Sequence, residues 1–574
     1  MTYGEIYEIY NEWIGGKLSR EEKAELAAVR EDEKEIEYRF GRDLEFGTAG
    51  MRGIIGMGTN MMNVYTVQRA TQGLADYIKA EGLAAMKRGV VISYDTRKNS
   101  RLFAETAADV LATNGVKTYL FTKVHPVPML SFAVRRLKAE AGIMITASHN
   151  PKEYNGYKVF GRDGAQMSLE DTEKVVRRIA EIPSCLSGKI KSGAPVKGML
   201  KTVPPSTDRK YYKTIRALAL SPAAVKKVGR SVKLVYTPVH GSGYVPVTTV
   251  LKKLGIRATL VEEQILPDEN FSTVAVPNPE FKETLAAGIR LADKIRADVV
   301  FGTDPDCDRL GVAVRNEKGE FVALSGNQAG VLMLDYVLGR LKERGKLPEN
   351  GFVVKSFVTT SMAKSIADDY GVELIDVPVG FKFIGEKIKQ FDDSGEKKFL
   401  FGFEESCGYL CGTHCRDKDA VVASMLFAEM VCYYAEKGVG VYQRLCDLYD
   451  RYGYCLDKNV SHAFGGVSAM EEMNAVVERL KKKRVDKIDV YNVVAVRDYS
   501  KPVRIAADGT EEILDIPKNN SVYYELENGS FVCVRPSGTE PKLKIYYSVK
   551  LKDFASSEKA FEKLSAATEE LLHG

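Results

Sequence analysis

Short apolar runs recur through the middle of the chain, and each is followed by a polar loop and a stretch with helical spacing. Three segments share one order: apolar strand, polar loop, helix, glycine and second strand. They begin at Val90, Val232 and Phe352. The glycines that end their helices are Gly115, Gly255 and Gly371. A glycine with positive φ commonly ends a helix, so the pattern predicts a weak internal repeat.

Each repeat continues through a second helical stretch to a further strand with an unusual loop behind it. The loops have the sequences TASHNP, GTDPDCDR and GFEESCGY. Strands that alternate with helices predict parallel βαβ units, whose functional loops lie at the carboxyl ends of the strands. We therefore expect three chemically different loops to face one shared cleft.

The pattern changes after about residue 455, where short strands that look antiparallel precede a final helix over about 556–572. This region predicts a smaller α+β domain behind three related α/β domains with mixed, largely parallel sheets. The predicted domains are 1–205 (nucleophile), 206–326 (metal), 327–455 (sugar) and 456–574 (phosphate).

Composition narrows the class of protein. Of 574 residues, 45% are hydrophobic and 28% charged, as in globular domains. Lys and Arg number 82 against 77 Asp and Glu, a net charge of +5 that is too balanced for a nucleic-acid surface. The chain shows no signal peptide and no apolar run long enough for a membrane span. Nine scattered cysteines suit reduced thiols, so we predict a cytoplasmic protein.

The loop TASHNPKEYNGYK places Ser148 directly behind an apolar strand. A hydroxyl at a strand end is exposed, and backbone amides can surround a phosphate on it, so Ser148 is a candidate nucleophile. His149 and Lys158 make the loop densely polar, and Lys158 could move a proton or hold a phosphate. A serine in a turn is the competing interpretation.

The loop GTDPDCDR carries Asp304, Asp306 and Asp308. Carboxylates this close repel each other unless a cation joins them, and hard oxygen ligands favour Mg²⁺ or Ca²⁺ over zinc. The loop lacks the glycine and distal glutamate of an EF-hand. A solvated acidic turn is one alternative. An aspartyl-phosphate phosphatase with Asp304 as nucleophile is another.

Three further loops carry weaker signals. GFEES supplies Glu404 and Ser406, which suit sugar hydroxyls but also the start of a helix. RPSGTEPK combines a guanidinium, two hydroxyls and free amides, as a phosphate clamp would, although a plain turn competes. FGTAGMRG is a glycine-rich loop to which Arg52 adds charge.

One cysteine cluster could hold zinc. Its members are Cys407, Cys411, His414 and Cys415. The spacing differs from that of common zinc sites, so buried small side chains are the favoured interpretation.

These five loops, in this order, resemble those of the α-D-phosphohexomutase family, and most closely its phosphoglucomutase and phosphopentomutase branch. The resemblance runs from about residue 40 to about residue 550, and its most specific segments are TASHNP with DPDCDR. It implies a heart-shaped, four-domain fold around a central cleft. Ala49 replaces a serine that many relatives have, and Cys307 lies among the aspartates; neither change removes a ligand.

The resemblance also implies a role for each loop. Ser148 is the phosphoserine, and its phosphate joins Asp304, Asp306 and Asp308 around Mg²⁺. Acid–base and charge-stabilising groups are Arg52, Lys158, Arg309 and Lys418, with His149 beside the nucleophile. Sugar hydroxyls meet Glu404 and Ser406, and Gly380 and Lys382 form a further substrate loop. The non-reacting phosphate is bound by Arg535, Ser537, Gly538 and Thr539.

The implied activity interconverts glucose 1-phosphate and glucose 6-phosphate through phospho-Ser148 and glucose 1,6-bisphosphate, which would also act as an activator. Mannose or pentose phosphates fit the same mechanism, and a non-catalytic sugar-phosphate sensor is a further alternative. The expected partners are small-molecule sugar phosphates, with neither nucleic acid nor membrane. The oligomeric state stays open.

Overall fold

The chain folds into two units in a computed structural model that describes residues 1–47, 50–465, 468–537 and 541–573. The first unit comprises Met1–Ala313 and Gly408–Cys432, and the second comprises Val314–Cys407 and Tyr433–Gly574. All nine cysteines are free. Among the described residues, no helix has both the length and the apolar character that crossing a bilayer requires.

The elements up to residue 202 are α1 (Tyr3–Gly15), α2 (Arg20–Ala28), α3 (Glu33–Phe40), β1 (Met51–Ile54), α4 (Val64–Ala80), α5 (Leu83–Arg88), β2 (Val90–Tyr94), α6 (Ser100–Thr113), β3 (Thr118–Leu120), α7 (Val127–Leu137), β4 (Ala141–Ile145), β5 (Tyr154–Phe160), α8 (Leu169–Ala180) and β6 (Leu200–Thr202). The next group is α9 (Ser206–Ala217), α10 (Pro222–Val228), β7 (Leu234–Thr237), α11 (Tyr244–Leu254), β8 (Ala258–Leu260), a 3₁₀ turn (Glu262–Gln264), α12 (Lys282–Ile295), β9 (Val299–Thr303), β10 (Leu310–Arg315) and β11 (Phe321–Leu324).

The third group is α13 (Gly326–Glu343), β12 (Gly351–Ser356), α14 (Met362–Asp369), β13 (Glu373–Val377), α15 (Phe381–Ser394), β14 (Lys398–Glu404), β15 (Gly408–Leu410), α16 (Ala420–Glu436) and α17 (Val441–Tyr452). The last group is β16 (Tyr454–Ala463), α18 (Ala469–Lys482), β17 (Lys487–Ile488), β18 (Tyr491–Asp498), β19 (Val503–Ala506), β20 (Glu511–Ile513), β21 (Val522–Leu526), β22 (Phe531–Pro536), β23 (Lys542–Leu551) and α19 (Phe554–His573).

The internal repeat is confirmed by strand order. Three sheets contain the strand orders β4-β2-β3, β9-β7-β8 and β14-β12-β13, so the first strand of each repeat always lies between the third and the second. All six pairings are parallel. The helix-ending glycines Gly115, Gly255 and Gly371 all have positive φ, as predicted.

The three polar loops share a backbone feature as well. Each follows the third strand of its repeat and contains one non-glycine residue in the left-handed region: Ser148 (φ 52°), Cys307 (φ 52°) and Cys407 (φ 61°). Such residues are uncommon outside glycine and often mark functional loops. The three loops therefore share a left-handed residue three or four positions after the strand, although their sequences differ.

The first sheet is covered on both faces, which explains its uninterrupted apolar strands. Ile92 and Ile143 belong to the cluster that packs against α4 and α6. Val91 and Met144, one residue away on the same strands, belong to the cluster that packs against α7. Because successive side chains point to opposite faces and both faces are covered, β4 is buried along its whole length. The chain leaves the sheet at the carboxyl end of β4, in the loop that carries Ser148.

The C-terminal sheet is antiparallel, as predicted, in the order β16-β23-β22-β21-β18-β19-β20. The expectation of short strands is wrong for β16 and β23, which pair over ten residues each. β16 is an edge strand whose exposed positions hold polar residues, so it has no apolar run. The final helix begins at Phe554, slightly before the predicted start.

Candidate active site

Ser148 lies in the loop behind β4 and is buried, with 4% of its surface exposed. Its hydroxyl donates a hydrogen bond to Oδ2 of Asp304 at 2.8 Å and lies 3.2 Å from Nδ1 of His149. Its backbone N–H donates to the hydroxyl of Thr146 at 2.8 Å. The serine predicted as nucleophile is thus in direct contact with the aspartate loop, although 156 residues separate the two.

Arg97 supports the loop that carries Ser148, and this residue was not identified from the sequence. Its buried guanidinium donates hydrogen bonds to four backbone carbonyl oxygens. The acceptors are Ser148 (2.6 Å), Asn150 (2.5 Å), Pro151 (2.8 Å) and Tyr154 (3.1 Å). The sequence offered one signal for Arg97: it belongs to the segment DTR, the loop that follows the first strand of the first repeat.

Asp95, at the same strand end, completes this support. Its Oδ1 accepts hydrogen bonds from the Arg97 backbone N–H at 2.9 Å and from the Ser100 hydroxyl at 2.6 Å. Its Oδ2 accepts one from the Thr146 hydroxyl at 2.6 Å, and that hydroxyl in turn accepts the Ser148 N–H. These buried hydrogen bonds reinforce one another and hold the Ser148 backbone in place before any ligand arrives.

Asp304, Asp306 and Asp308 follow β9 and are buried, and one carboxylate oxygen from each lies within 4.8 Å of the others. Asp304 Oδ1 accepts the N–H groups of Asp308 and Arg309 at 3.1 and 2.9 Å. Burial, followed by the charges of Asp306 and Asp308, raises the pKa of Asp304 well above its usual value. Among the described residues, Oδ1 of Asp306 and Oδ1 of Asp308 have no hydrogen-bond partner. Buried carboxylate oxygens left over in this way fit a hard divalent cation.

Two lysines approach this cluster. Lys158, on β5, donates from Nζ to Oδ2 of Asp306 at 2.9 Å, and Lys418, just before α16, lies 3.0 Å from Oδ2 of Asp308. Burial raises the pKa of the Asp306 carboxyl, but the Lys158 ammonium, a hydrogen bond with Asp304 and the Lys418 charge together hold that pKa below its usual range. The predicted lysines therefore meet the predicted metal loop.

The remaining predicted residues of the first unit lie around the serine. Arg52, on β1, donates from Nη1 to Oδ1 of Asn150 at 3.1 Å. Arg309 forms an ion pair with Glu280. Burial, then Arg309 and Arg52, lower the pKa of His149 to about 2, so its imidazole is neutral at physiological pH. A neutral ring beside Ser148 can share a hydrogen bond but adds no positive charge.

In the second unit, Glu404 ends β14 and is 6% exposed. Its Oε1 accepts the backbone N–H of Gly380 at 2.8 Å, which joins the predicted sugar loop to the predicted further substrate loop. Gly380 has φ 124°, a conformation that favours glycine, directly before α15. Lys382 lies in the first turn of α15, and burial lowers its pKa. Ser406 is half-buried in the loop behind Glu404.

Arg535 and Ser537 line a cavity of about 390 Å³ in the second unit. Its walls also include Pro378, Val379 and Phe383, which flank the Gly380 loop. The cavity thus brings the predicted phosphate clamp to the predicted substrate loop. Gly538, Thr539 and the Ala49 position lie outside the described residues.

Four domain models match the chain in order. They are the phosphoglucomutase/phosphomannomutase alpha/beta/alpha domains I (residues 43–184), II (209–319) and III (325–452) and the C-terminal domain (472–558). A phosphoglucomutase of Staphylococcus aureus (strain MRSA252) is 37% identical over 530 residues, which is 91% of this chain and 93% of that protein. A phosphoglucomutase of Staphylococcus haemolyticus (strain JCSC1435) is 35% identical over 520 residues, 90% and 92% of the two chains.

Solved structures match the fold at lower identity. Parafusin (pp63), a phosphoglucomutase from Paramecium in an open form, matches with a TM-score of 0.68 and 18% identity, covering 92% of this chain and 95% of that one. A phosphoglucomutase/phosphomannomutase family protein from Burkholderia thailandensis matches with a TM-score of 0.67 and 18% identity, covering 92% and 97%.

Proposed function

Because this chain belongs to the phosphoglucomutase/phosphomannomutase family and is a phosphohexomutase, an isomerase, we propose that it interconverts glucose 1-phosphate and glucose 6-phosphate. The observation that carries the proposal is the contact between the Ser148 hydroxyl and Asp304, at 2.8 Å inside a buried polar cluster. A serine that only formed a turn would not be expected to contact a carboxylate loop from another repeat.

The proposed reaction moves one phosphoryl group at a time. The bond between phosphorus and Oγ of phospho-Ser148 breaks while a bond forms to a free hydroxyl of the sugar monophosphate. The proton of that hydroxyl ends on Oγ, so a sugar bisphosphate and free serine result. The bisphosphate then returns its other phosphoryl group to Ser148, which regenerates the enzyme. Glucose 1,6-bisphosphate is therefore both intermediate and activator.

Mg²⁺ fits the aspartate cluster because one buried oxygen each of Asp306 and Asp308 has no hydrogen-bond partner within the described part of the chain. We propose that Asp304, Asp306 and Asp308 hold it, where it would offset charge on the transferring phosphoryl group. The Lys158 and Lys418 ammonium groups add positive charge that is fixed in place before the reaction. We propose that the Arg52 and Arg309 guanidinium groups also supply positive charge near Ser148, beside the neutral His149 imidazole.

The second unit is proposed to bind the sugar phosphate. Glu404 keeps one carboxylate oxygen on the Gly380 N–H, which orients the other toward sugar hydroxyls. Arg535 and Ser537, on their cavity, suit the non-reacting phosphate, together with Gly538 and Thr539. Ser406 and Lys382 would add contacts to the sugar and its phosphate.

The test is conversion of glucose 1-phosphate to glucose 6-phosphate with Mg²⁺ and a trace of glucose 1,6-bisphosphate. Ser148→Ala should lose activity by several orders of magnitude, since it removes the phosphoryl acceptor. Ser187→Ala, a serine on the surface loop behind α8, is the matched control. Near-normal turnover by Ser148→Ala would sink the assignment.

Two further arms separate the alternatives. The kcat/KM values for mannose 1-phosphate and ribose 1-phosphate, set against that for glucose 1-phosphate, identify the preferred sugar. Mass spectrometry locates the phosphate on the isolated enzyme. A phosphoserine survives hydroxylamine, whereas an acyl phosphate on Asp304 does not. Binding of sugar phosphates without turnover would instead identify a sensor.

A further inference from the structure

The residues on both sides of Lys418 are held by hydrogen bonds, which fixes the stretch of backbone that carries its ammonium group. Lysine has a flexible stem, so its charge stays at one point only if the chain around it is fixed. Its own N–H donates to Oδ1 of Asp417 at 2.8 Å, and Oδ2 of Asp417 accepts Nε2 of Gln166 at 3.1 Å. On the other side, Asp419 is fully buried. Lys418 itself reaches Asp308 at 3.0 Å.

Asp419 gathers hydrogen bonds from several donors. Its Oδ1 accepts the N–H groups of Val421 and Val422 at 2.8 and 3.0 Å, which caps the start of α16. Its Oδ2 accepts the Tyr211 hydroxyl at 2.8 Å and lies 2.7 Å from Nε2 of His414. Of these donors only Tyr211, on α9, comes from a distant part of the chain, 208 residues away. The Gln166 side chain and the Ser131 hydroxyl, which accepts the Arg416 N–H at 3.0 Å, also tie this turn to distant parts of the unit. The tyrosine adds the hydrogen bond that fixes Asp419, directly behind Lys418.

A metal ion is the other occupant that this cluster could have. His414, Cys415 and Asp419 offer ligand atoms within 4.8 Å of one another. Both oxygens of Asp419, however, already accept hydrogen bonds, and Sγ of Cys415 donates to the carbonyl of Asp417 at 3.3 Å. Burial raises the pKa of Cys415 well above its usual value, so it keeps its proton. A hydrogen-bonded anchor fits these contacts better than a metal site.

We propose that Tyr211, through its bond to Asp419, is a positioning residue for the Lys418 ammonium. The inference rests on the proposed function, since Lys418 matters to phosphoryl transfer only if Asp308 helps to hold the metal. The Tyr211 hydroxyl donates to the two carboxylate oxygens of Asp419, which belongs to neither the serine loop nor the aspartate loop. It acts by keeping the turn that carries Lys418 in one place.

The first experiment compares two neighbouring tyrosines of α9. Tyr211→Phe removes one hydroxyl without changing the packed ring, and Tyr212→Phe, whose hydroxyl does not bind Asp419, is the control. We expect Tyr211→Phe to lower kcat about tenfold with KM within about twofold, less than the roughly hundredfold that a 1 Å misplacement can cost. In a Lys418→Ala background the same change should have no further effect, because the two residues then act as one unit. Equal kcat for the two tyrosine variants, or additive losses, would overturn the proposal.

A second readout does not depend on activity. Acetylation of Lys418 by an amine-selective reagent, followed by mass spectrometry, should be several-fold faster in Tyr211→Phe than in the wild type or Tyr212→Phe. If the wild type lacks mutase activity, the proposed function fails, but this arm still decides whether Tyr211 holds the turn. Unchanged acetylation would refute the anchor. A stoichiometric zinc ion that is lost on His414→Gln or Cys415→Ser would also refute it.

Discussion

Replacing Arg97 by methionine should destabilise the first unit and loosen the loop that carries Ser148. The substitution keeps a long apolar stem in the buried site but removes the guanidinium. Four backbone carbonyls then lose their donor, and the Asp95 carboxylate, 3.5 Å from the guanidinium, loses its counter-charge. The stacking of Arg97 over the Phe271 ring, 5.1 Å away, is lost as well. The perturbation is therefore confined to one side chain with many partners.

The magnitude follows from burial. A hydrogen bond to a charged group contributes about 1.5–3 kcal/mol, but four to one guanidinium are not additive. Breaking a buried ion pair by removing one partner costs about 3–5 kcal/mol. Both side chains of the Arg97–Asp95 pair are 0% exposed, so solvent screening does not reduce this value. We expect Arg97→Met to lower the free energy of unfolding of the first unit by about 3–5 kcal/mol. Arg97→Lys keeps the charge without the fork and should lose less.

The chain offers a built-in probe, its single tryptophan. Trp13 packs against Phe40 and Tyr65, and Tyr65 lies on α4, which covers the Ser148 sheet. Its fluorescence during guanidinium unfolding therefore reports the first unit. Multidomain chains commonly do not unfold in one two-state step, so the transition reported by Trp13 is analysed alone.

The control is Arg101→Met in the first turn of α6, just behind the Arg97 loop; the Arg101 side chain is 73% exposed and pairs with Glu105. An exposed pair of this kind contributes little to stability, so the control should unfold like the wild type. Hydrogen exchange of residues 146–154 should rise in Arg97→Met alone. If Arg97→Met unfolds within about 1 kcal/mol of the control and exchange is unchanged, the reasoning from burial is refuted.

Two shorter predictions follow from buried carboxylates. Asp306→Asn should raise the Mg²⁺ concentration for half-maximal activity at least tenfold, measured by titration after chelator treatment, because it removes one anionic ligand and the partner of Lys158. Burial raises the pKa of Asp457 to about 6, so the folded second unit keeps a proton that the unfolded chain releases near pH 4. The free energy of unfolding of that unit should therefore fall as the pH rises from about 4 to about 6. Between urea unfolding at pH 5 and at pH 7, the fall should be smaller for Asp457→Asn than for the wild type. An unchanged metal requirement, or an unchanged slope, would contradict these expectations.

The loops were predictable because their chemistry is local. Ser148 and the aspartates each lie within a few residues of an apolar strand end, and strand alternation with helices places such ends at one sheet edge. The direct hydrogen bond between Ser148 and Asp304 follows from no local pattern, because 156 residues separate the two. The shared repeat and the family resemblance were the signals that the two loops belong together.

Arg97 and Tyr211 show what sequence reasoning misses. Each is a single buried polar residue whose partners are backbone carbonyls or one carboxylate far along the chain. An arginine that binds backbone carbonyls is not marked by any spacing of residue types in the sequence. A tyrosine in a helix is most simply interpreted as a core residue. Edge strand β16 was missed for a related reason: its exposed face is polar, so it lacks the apolar run that marks a buried strand.

The three left-handed residues explain how one repeat serves different chemistry. A non-glycine residue with positive φ costs about 1 kcal/mol or more, yet Ser148, Cys307 and Cys407 adopt it at the same place in three loops. In the second loop the turn lets the N–H of Cys307 bond the carbonyl of Asp304 at 2.9 Å, which closes the loop on itself. A closed turn fixes the side chains beside it without specifying them. The same strand-and-loop arrangement therefore carries a hydroxyl in one copy, a carboxylate cluster in the second and a hydrogen-bonded glutamate in the third.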